Sequence, residues 1–476
     1  MTPLARTAAI AALGLLTLPA TAQEIPSAYG CHGLEQDADL ATIEGRDGMF
    51  YRMASDMRMD RPFSDATVAD MAALSRALAS RGTTLIYAPI PTKSVSMPAW
   101  LPDRATDLGF DLEVATKVQT DILDRLNAAG VVTADLRAAL LTAEPGRPTF
   151  FATDTHWNAY GADLGARAIA EVMRAQPVYD TLEKTRHETV ETGTDNGVLV
   201  MRRILQRRCT ETLPMPVTRT YETRVAQPGG PLDIGLGGDA PLDIGLGEDA
   251  PLDIGLGDDS PLDIGLGGED IDLFGEAEAR LPVAIVGTSF SDLATVNFPG
   301  FLAQHSDLEV VNYAITGGAQ FGAITSYLTS DDYQNAPPTF LVWENPIYTN
   351  FAQVGDQPMR ELIAAAGDTC TRQVPFTLDP NGQTLIADLD TDLTPGDTLF
   401  LDTDAPVTDA VAFHFWSAED RIRTRSIRRG DRLRRTGRFY MPLTGLWPDG
   451  ARQVEVTSTA KFGPTPTLFV CSLDAS

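Results

Sequence analysis

The sequence predicts an α/β protein built on a parallel sheet, followed by a small all-β sandwich domain. Three observations lead there. Short, uninterrupted apolar runs alternate with amphipathic helical stretches over residues 67–346, the pattern of a parallel sheet covered by helices on both faces. Beyond "MRELIAAAGDTC" (359–370) the helical periodicity stops, and residues 371–476 carry short alternating runs between Thr, Asp, Pro and Gly. A tenfold-spaced acidic repeat, at 231–270, interrupts the first region without supplying an element of its own.

In chain order, residues 1–22 read as a secretory signal: Arg6 gives a basic start, 8–20 an apolar core and "ATA" (20–22) a small-residue cleavage site. The apolar run is short for a membrane span. No Cys stands directly after the cleavage site, which argues against a lipoprotein. The expected location is therefore the periplasm.

Residues 67–82 have a helical period and stop at Gly82, and 83–91 form an apolar, β-branched strand ended by Pro91. Residues 113–130 repeat the helix pattern with a Gly stop, and 131–136 read as the next strand. Downstream, "LPVAIVGTSFSDL" (281–293), "LEVVNYAIT" (308–316) and "PTFLVWENP" (338–346) each contain a continuous apolar strand. The α/β domain is thus expected over 23–365. The repeat block holds four decapeptides of the form PLDIGLGxxx, with 11 acids and no base. A calcium-binding β-roll has a period of nine and another glycine spacing, so the block reads as a solvated loop that cannot bury enough to fold alone. Over 366–476, "QTLIADL", "DTLFLD", "AVAFHFW", "RQVEVTST" and "PTLFVCSL" read as strands.

The chain carries 65 acidic and 37 basic residues, for a net charge of −28. Such an excess repels nucleic acid and anionic membranes. The four cysteines, Cys31, Cys209, Cys370 and Cys471, form no CxxC pair, which disfavours zinc and thioredoxin-type readings. Four thiols in an oxidising compartment predict two disulfides. Three connectivities are open; a boundary near residue 365 favours Cys31–Cys209 and Cys370–Cys471.

Of the five histidines, only His156, in "FFATDTHWNAYG", has a carboxylate at D-x-H spacing, Asp154, amid aromatics. A catalytic imidazole needs such a carboxylate on its far nitrogen, although a structural Asp–His pair gives the same letters. "VAIVGTSFS" places Ser289 directly after an apolar strand, where α/β folds expose a nucleophile at the carboxyl end of the sheet. It is not a GxSxG elbow, and Ser291 is a rival two positions on.

Together, "DTHW" (154–157), "GTSFS" (287–291), "WENPIY" (343–348), "PIPTK" (89–93) and the four-cysteine layout resemble the SGNH-hydrolase-like alginate O-acetyltransferases of the AlgX/AlgJ type. The resemblance covers nearly the whole chain after residue 22 and implies an SGNH-like domain followed by a carbohydrate-binding module. It implies Ser289 as nucleophile, His156 as base, Asp154 as orienting carboxylate and Tyr348 as an active-site tyrosine. Two features depart from ordinary SGNH enzymes: D-x-H replaces D-x-x-H, and no GxND asparagine is present. The oxyanion donors stay open between the Ser289 N–H, Gly317 and Gly318. The implied chemistry is ping-pong. Ser289 takes an acetyl group, and a sugar hydroxyl deprotonated by His156 removes it. No cofactor or metal is called for. The implied partners are an anionic polysaccharide, a membrane-bound acetyl donor, and periplasmic or outer-membrane export and modification proteins.

The stretch 421–438 carries nine Arg and one Asp. Arg421, Arg423 and Arg425 alternate, so a strand puts them on one face, and Phe415 and Trp416 stand just before them. Arg forks bind carboxylates and aromatics stack on sugars, so this is the expected polyuronate surface. The rival is a solvated basic face. Two other functions share these features: an SGNH-type carbohydrate esterase, and a non-catalytic polysaccharide-binding scaffold of an export complex.

Overall fold

The computed structural model describes residues 27–226, 280–349, 351–389, 393–448 and 450–472. The expected signal segment (1–22) and the decapeptide block (231–270) lie outside the described residues.

The centre of the N-terminal part is a five-stranded, all-parallel sheet made of β1 (Thr84–Ile90), β2 (Val132–Thr133), β3 (Val283–Val286), β4 (Val310–Asn312) and β5 (Phe340–Pro346). Its spatial order is β2-β1-β5-β3-β4. Successive side chains on a strand face opposite ways, and both faces here are buried. Ile86, Ala88, Val283, Ile285 and Val342 join one apolar core, and Leu85, Tyr87, Ala284, Val286 and Trp343 the other. This is why these strands read as continuous apolar runs rather than as alternating ones. Helices α1 (Asp65–Ser80), α2 (Leu112–Ala128), α3 (Ala159–Arg174), α4 (Ser289–Asp292), α5 (Phe298–Ser306), α6 (Ala319–Leu328) and α7 (Gln357–Ala366) cover the sheet. Side-chain caps begin several of them: Ser64 accepts from Thr67 N–H, Asp111 from Glu113 and Val114, and Asn158 from Gly161.

One expected strand shrinks, and one ribbon appears that the sequence does not announce. The strand expected over 131–136 is only two residues long, because Asp135 caps a short helix that opens at Leu136. The ribbon formed by His187–Asn196 and Val217–Val225 is unforeseen, because its residues are mostly exposed and polar.

C-terminal to α7, a four-stranded and a five-stranded antiparallel sheet share one core that includes Leu399, Leu401, Phe413, Phe415, Val454, Val456 and Val470. The five expected strands are all present. Residues 422–428, read only as an alternating stretch that a strand would order, form a further strand at the edge of the larger sheet, which also takes the two-residue Thr377–Leu378; Arg438–Pro442 and the two-residue Arg372–Gln373, none of them expected, complete the smaller. The cysteines pair as Cys31–Cys209 and Cys370–Cys471, the second tying the start of the sandwich to its last strand.

The sandwich is docked through part of the Arg-rich stretch. Arg429 donates to both carboxylate oxygens of Glu361 on α7, at 3.1 and 2.5 Å, and both side chains are buried. Arg434 pairs with Asp332 (2.7 Å) and Arg438 with Asp331 (2.6 Å). Arg432 donates to the Thr316 carbonyl at 3.0 Å. Removing one member of a buried pair strands the other in a poor solvent for charge. Glu361→Ala should therefore destabilise the protein by about 3–5 kcal/mol in urea titrations, whereas Glu361→Leu combined with Arg429→Met should recover most of the loss.

Candidate functional site

Three side chains meet at the carboxyl end of the sheet. β3 ends at Val286, and Gly287 and Thr288 turn the chain so that Ser289 opens α4, half-buried and reachable from solvent. Facing it is a tight turn in which Phe151 N–H donates to His156 O (3.1 Å) and Asp154 Oδ1 accepts the His156 amide at 2.9 Å. The same Asp154 oxygen accepts from His156 Nδ1. A carboxylate only accepts, so the proton sits on Nδ1 and leaves Nε2 bare. Ser289 Oγ lies 2.7 Å from that nitrogen. A hydroxyl, an imidazole and a carboxylate thus form one continuous relay, the order required to take a proton from a nucleophile.

Two further groups hold the halves of this site in place. Trp157 is fully buried and donates its indole N–H to Phe290 O at 2.9 Å, bolting the histidine turn to the serine turn. Gly165 on α3 makes room for that ring, since a Cβ there would stand 2.9 Å from it. Lys93 is fully buried and donates to the carbonyls of Phe50 (2.8 Å), Phe151 (2.6 Å), Ala152 (3.1 Å) and Asp154 (3.0 Å). Burial pulls the Lys93 ammonium down to about 8, partly offset by the Asp56 and Asp154 carboxylates. Burial likewise pushes Asp56 up to about 6 against the pull of Lys93.

A family described as "SGNH hydrolase-like domain, acetyltransferase AlgX" matches residues 42–244 and 267–347, more than half of the chain. The chain belongs to this family. It is 25% identical over 311 residues to the alginate biosynthesis protein AlgX of Pseudomonas aeruginosa, covering 65% of this chain and 56% of that protein. It therefore spans only a little over half the length of that relative. It is 28% identical over 277 residues to the "Probable alginate O-acetylase AlgJ" of the same species, covering 57% of this chain and 61% of that one. A solved structure of P. aeruginosa AlgX shares the fold, with a TM-score of 0.69 at 20% identity over 91% of this chain and 94% of that one.

Within this AlgX-family domain, Ser291 is not placed as a rival nucleophile. It is buried, and its hydroxyl donates to Glu344 Oε2 at 2.9 Å. Glu344, which sequence reasoning did not single out, lies in the middle of β5 and also accepts from Thr288 N–H (2.7 Å) and Thr288 Oγ1 (3.0 Å). Its signal was a lone acid inside an apolar strand. Gly318 spends its amide on Ile315 O (3.0 Å), which removes it as an oxyanion donor. The Ser289 amide, first in its helix, has no acceptor within it. Tyr348 follows β5, and its carbonyl accepts from Arg61 at 2.7 Å. Burial, reinforced by Asp56, Glu344 and Asp154, holds its phenol well above the usual tyrosine value, so it stays neutral. The structure does not tie that hydroxyl to Ser289 or His156 by a hydrogen bond. His305 makes a second His–Asp pair, 2.6 Å from Asp163, which joins α5 to α3.

The expected sugar surface is only partly assembled. With β6 (Ala410–Trp416) and β7 (Ile422–Arg428) paired, Phe415 stands opposite Arg423 and Phe413 opposite Arg425. These arginines therefore share the inner face with buried phenylalanines, and Phe415, fully buried, is no stacking platform. Arg423 and Arg425 spend their guanidiniums on carbonyls of the 442–446 loop. Arg421 and Arg423 lie over the Trp447 ring, at 5.7 and 5.1 Å. Trp416, paired with Ile422, faces the other way. Trp416 and these arginines are not brought together. Arg421 is exposed, although it pairs with Glu419 at 2.9 Å.

A cavity of about 940 Å³ around residues 27–48 and 102–108 contains none of the triad. Lys93→Met would leave buried carbonyls without donors. The expected cost is about 3 kcal/mol, read as a lower urea midpoint, with faster hydrogen exchange at residues 150–156.

Proposed function

We propose that the protein is an exported O-acetyltransferase acting on an anionic polysaccharide, alginate in the first instance, through a Ser289–His156–Asp154 triad. The 2.7 Å approach of Ser289 Oγ to the bare His156 Nε2 carries this reading. Membership of the acetyltransferase family supports the acyl chemistry. The relatives' names, an alginate biosynthesis protein and an alginate O-acetylase, support the polymer. Among the described residues no helix is long and apolar enough to cross a membrane, and the leader-like first residues together with two disulfides favour the periplasm.

In the first half-reaction Ser289 Oγ attacks the donor's acyl carbon as its proton passes to His156 Nε2, with Asp154 opposing the imidazolium charge. The oxyanion faces the Ser289 amide, and the leaving group departs with the proton from His156. In the second half-reaction a sugar hydroxyl gives its proton to His156 and takes the acyl group, restoring the serine. Tyr348, neutral and beside the site, is a donor for the sugar or the oxyanion. Between the α/β part and the sandwich lies a cleft of about 390 Å³ lined by Gln320, Phe321, Gln357 and Arg428 among others, suited to a polyuronate that spans both units.

With p-nitrophenyl acetate, mass spectrometry should find one acetyl group on Ser289. Ser289→Ala should abolish it, and Ser291→Ala should still form it at a reduced rate. Asp154→Asn should keep the fold and lower kcat by about 10⁴-fold. Labelling at Ser291 instead would sink the triad. Polyuronate oligomers added to the acylated protein should gain acetyl groups faster than free acetate is released; acetate alone would make the protein an esterase.

Polymer affinity should weaken with salt and drop when Arg421 becomes Ala. Arg423→Ala and Arg425→Ala also free the 442–446 loop, so their affinities need a melting curve alongside.

A further inference from the structure

We propose that Glu344 is a positioning residue for the nucleophile: its buried carboxylate, kept as an anion beneath the turn at 287–291, sets the Ser289 hydroxyl against His156. The inference rests on the triad reading above and deepens it. Geometry carries it. Glu344 is fully buried on β5, next to β3, whose end supplies the turn. Three donors converge on it: Thr288 N–H at 2.7 Å, Thr288 Oγ1 at 3.0 Å and Ser291 Oγ at 2.9 Å. A backbone amide can only donate, so at least one carboxylate oxygen must remain an acceptor. The approach is close enough to require glycine at 287, where a Cβ would stand 2.5 Å from Glu344 Oε2.

The turn's sequence then has a reason at each polar position. Gly287 admits the carboxylate, Thr288 binds it twice, and Ser291 binds it from one helical turn further on. Thr288 Oγ1 in turn accepts the Phe290 amide at 3.3 Å. Glu344 engages the Thr288 amide and the Thr288 hydroxyl engages that of Phe290. The Ser289 amide between them is left for the reaction. Other contacts steady the far side of the turn, Asn312 on Ser291 O and Trp157 on Phe290 O, but Glu344 alone among these brings a charge.

That charge is held against its preference. Burial pushes the carboxyl up to about 6, while the Thr288 and Ser291 hydrogen bonds and the nearby His156 draw it back down. The ionisable groups facing it are His156 from the turn before α3, Tyr87 from β1 and Tyr348 after β5. Both phenols are raised above their ordinary value by burial, so neither titrates on the acid side. Protonation of Glu344 at low pH therefore removes an acceptor from the turn and adds its own inflection to the acid limb of activity. The sign for stability is opposite. A carboxyl raised by folding favours the folded state below its unfolded value, and that contribution fades as the pH climbs through about 6. Neutralising Glu344 should thus not cost stability near pH 7.5.

The experiment compares wild type with Glu344→Gln, using p-nitrophenyl acetate between pH 4.5 and 8 and thermal melts at each end. The acid limb of wild-type log(kcat/KM) should carry an inflection near pH 6 that the variant lacks. At pH 7.5 the variant should lose about 10- to 100-fold in kcat, the penalty of a misplaced reactant, with KM within about twofold and a Tm no lower than wild type. Wild-type kcat in the variant, or the same inflection near pH 6 in both proteins, would overturn the proposal. So would a kcat loss matched by a large fall in Tm, which marks a merely structural carboxylate. Should the variant not fold, Ser291→Ala removes one donor from Glu344 and should move the acid limb to higher pH; an unmoved limb is equally fatal. Absence of acylation on wild-type Ser289 would defeat the triad reading itself, whereas equal acylation of wild type and Glu344→Gln defeats only the role of Glu344.

Discussion

Lys93 brings one ammonium group to the place where three pieces of chain must meet. It gathers carbonyls from the residue 50 region and from the turn at 151–154, and it sits immediately after β1. A carbonyl buried without a donor is costly, and an ammonium buried without acceptors is more so; each solves the other's problem. The Asp154–His156 turn is thereby pinned to the central sheet, and Trp157 passes that fixity on to the turn that carries Ser289. Ser289 and His156, 133 positions apart, meet because both turns are fastened to the same scaffold.

The strands of the sheet were legible because burial on both faces leaves a continuous apolar run, which "VAIV" and "FLVW" show without any alignment. The ribbon at 187–225 was not, because its strands are exposed and hold each other through backbone pairing and charge rather than through an apolar face. Strand Arg438–Pro442 was hidden at the edge of an arginine cluster that drew a functional reading instead. The cluster itself was half understood. Alternation put Arg421, Arg423 and Arg425 on one side, but sequence does not reveal that Arg429, Arg434 and Arg438 face acids on another part of the chain.

At the site, D-x-H and Gly-Thr-Ser were readable because their partners lie within a few residues or at a strand end. Glu344 and Lys93 were not, since their partners are tens of positions away. Each nevertheless left a trace: an acid within the apolar run of β5, and a lysine directly behind the apolar run of β1. In a sheet covered on both faces, a charge at such a place has nowhere wet to go. It has to be spoken for by the fold.

The docking of the sandwich has a further meaning for a long substrate. Swinging this unit away would carry Arg429 and Glu361 apart inside a poorly polarisable interior, so a hinge is closed off at that seam. The span from Ser289 to the cleft beside Arg428 is thus settled once, during folding, and for the polyuronate proposed above it would work as a ruler.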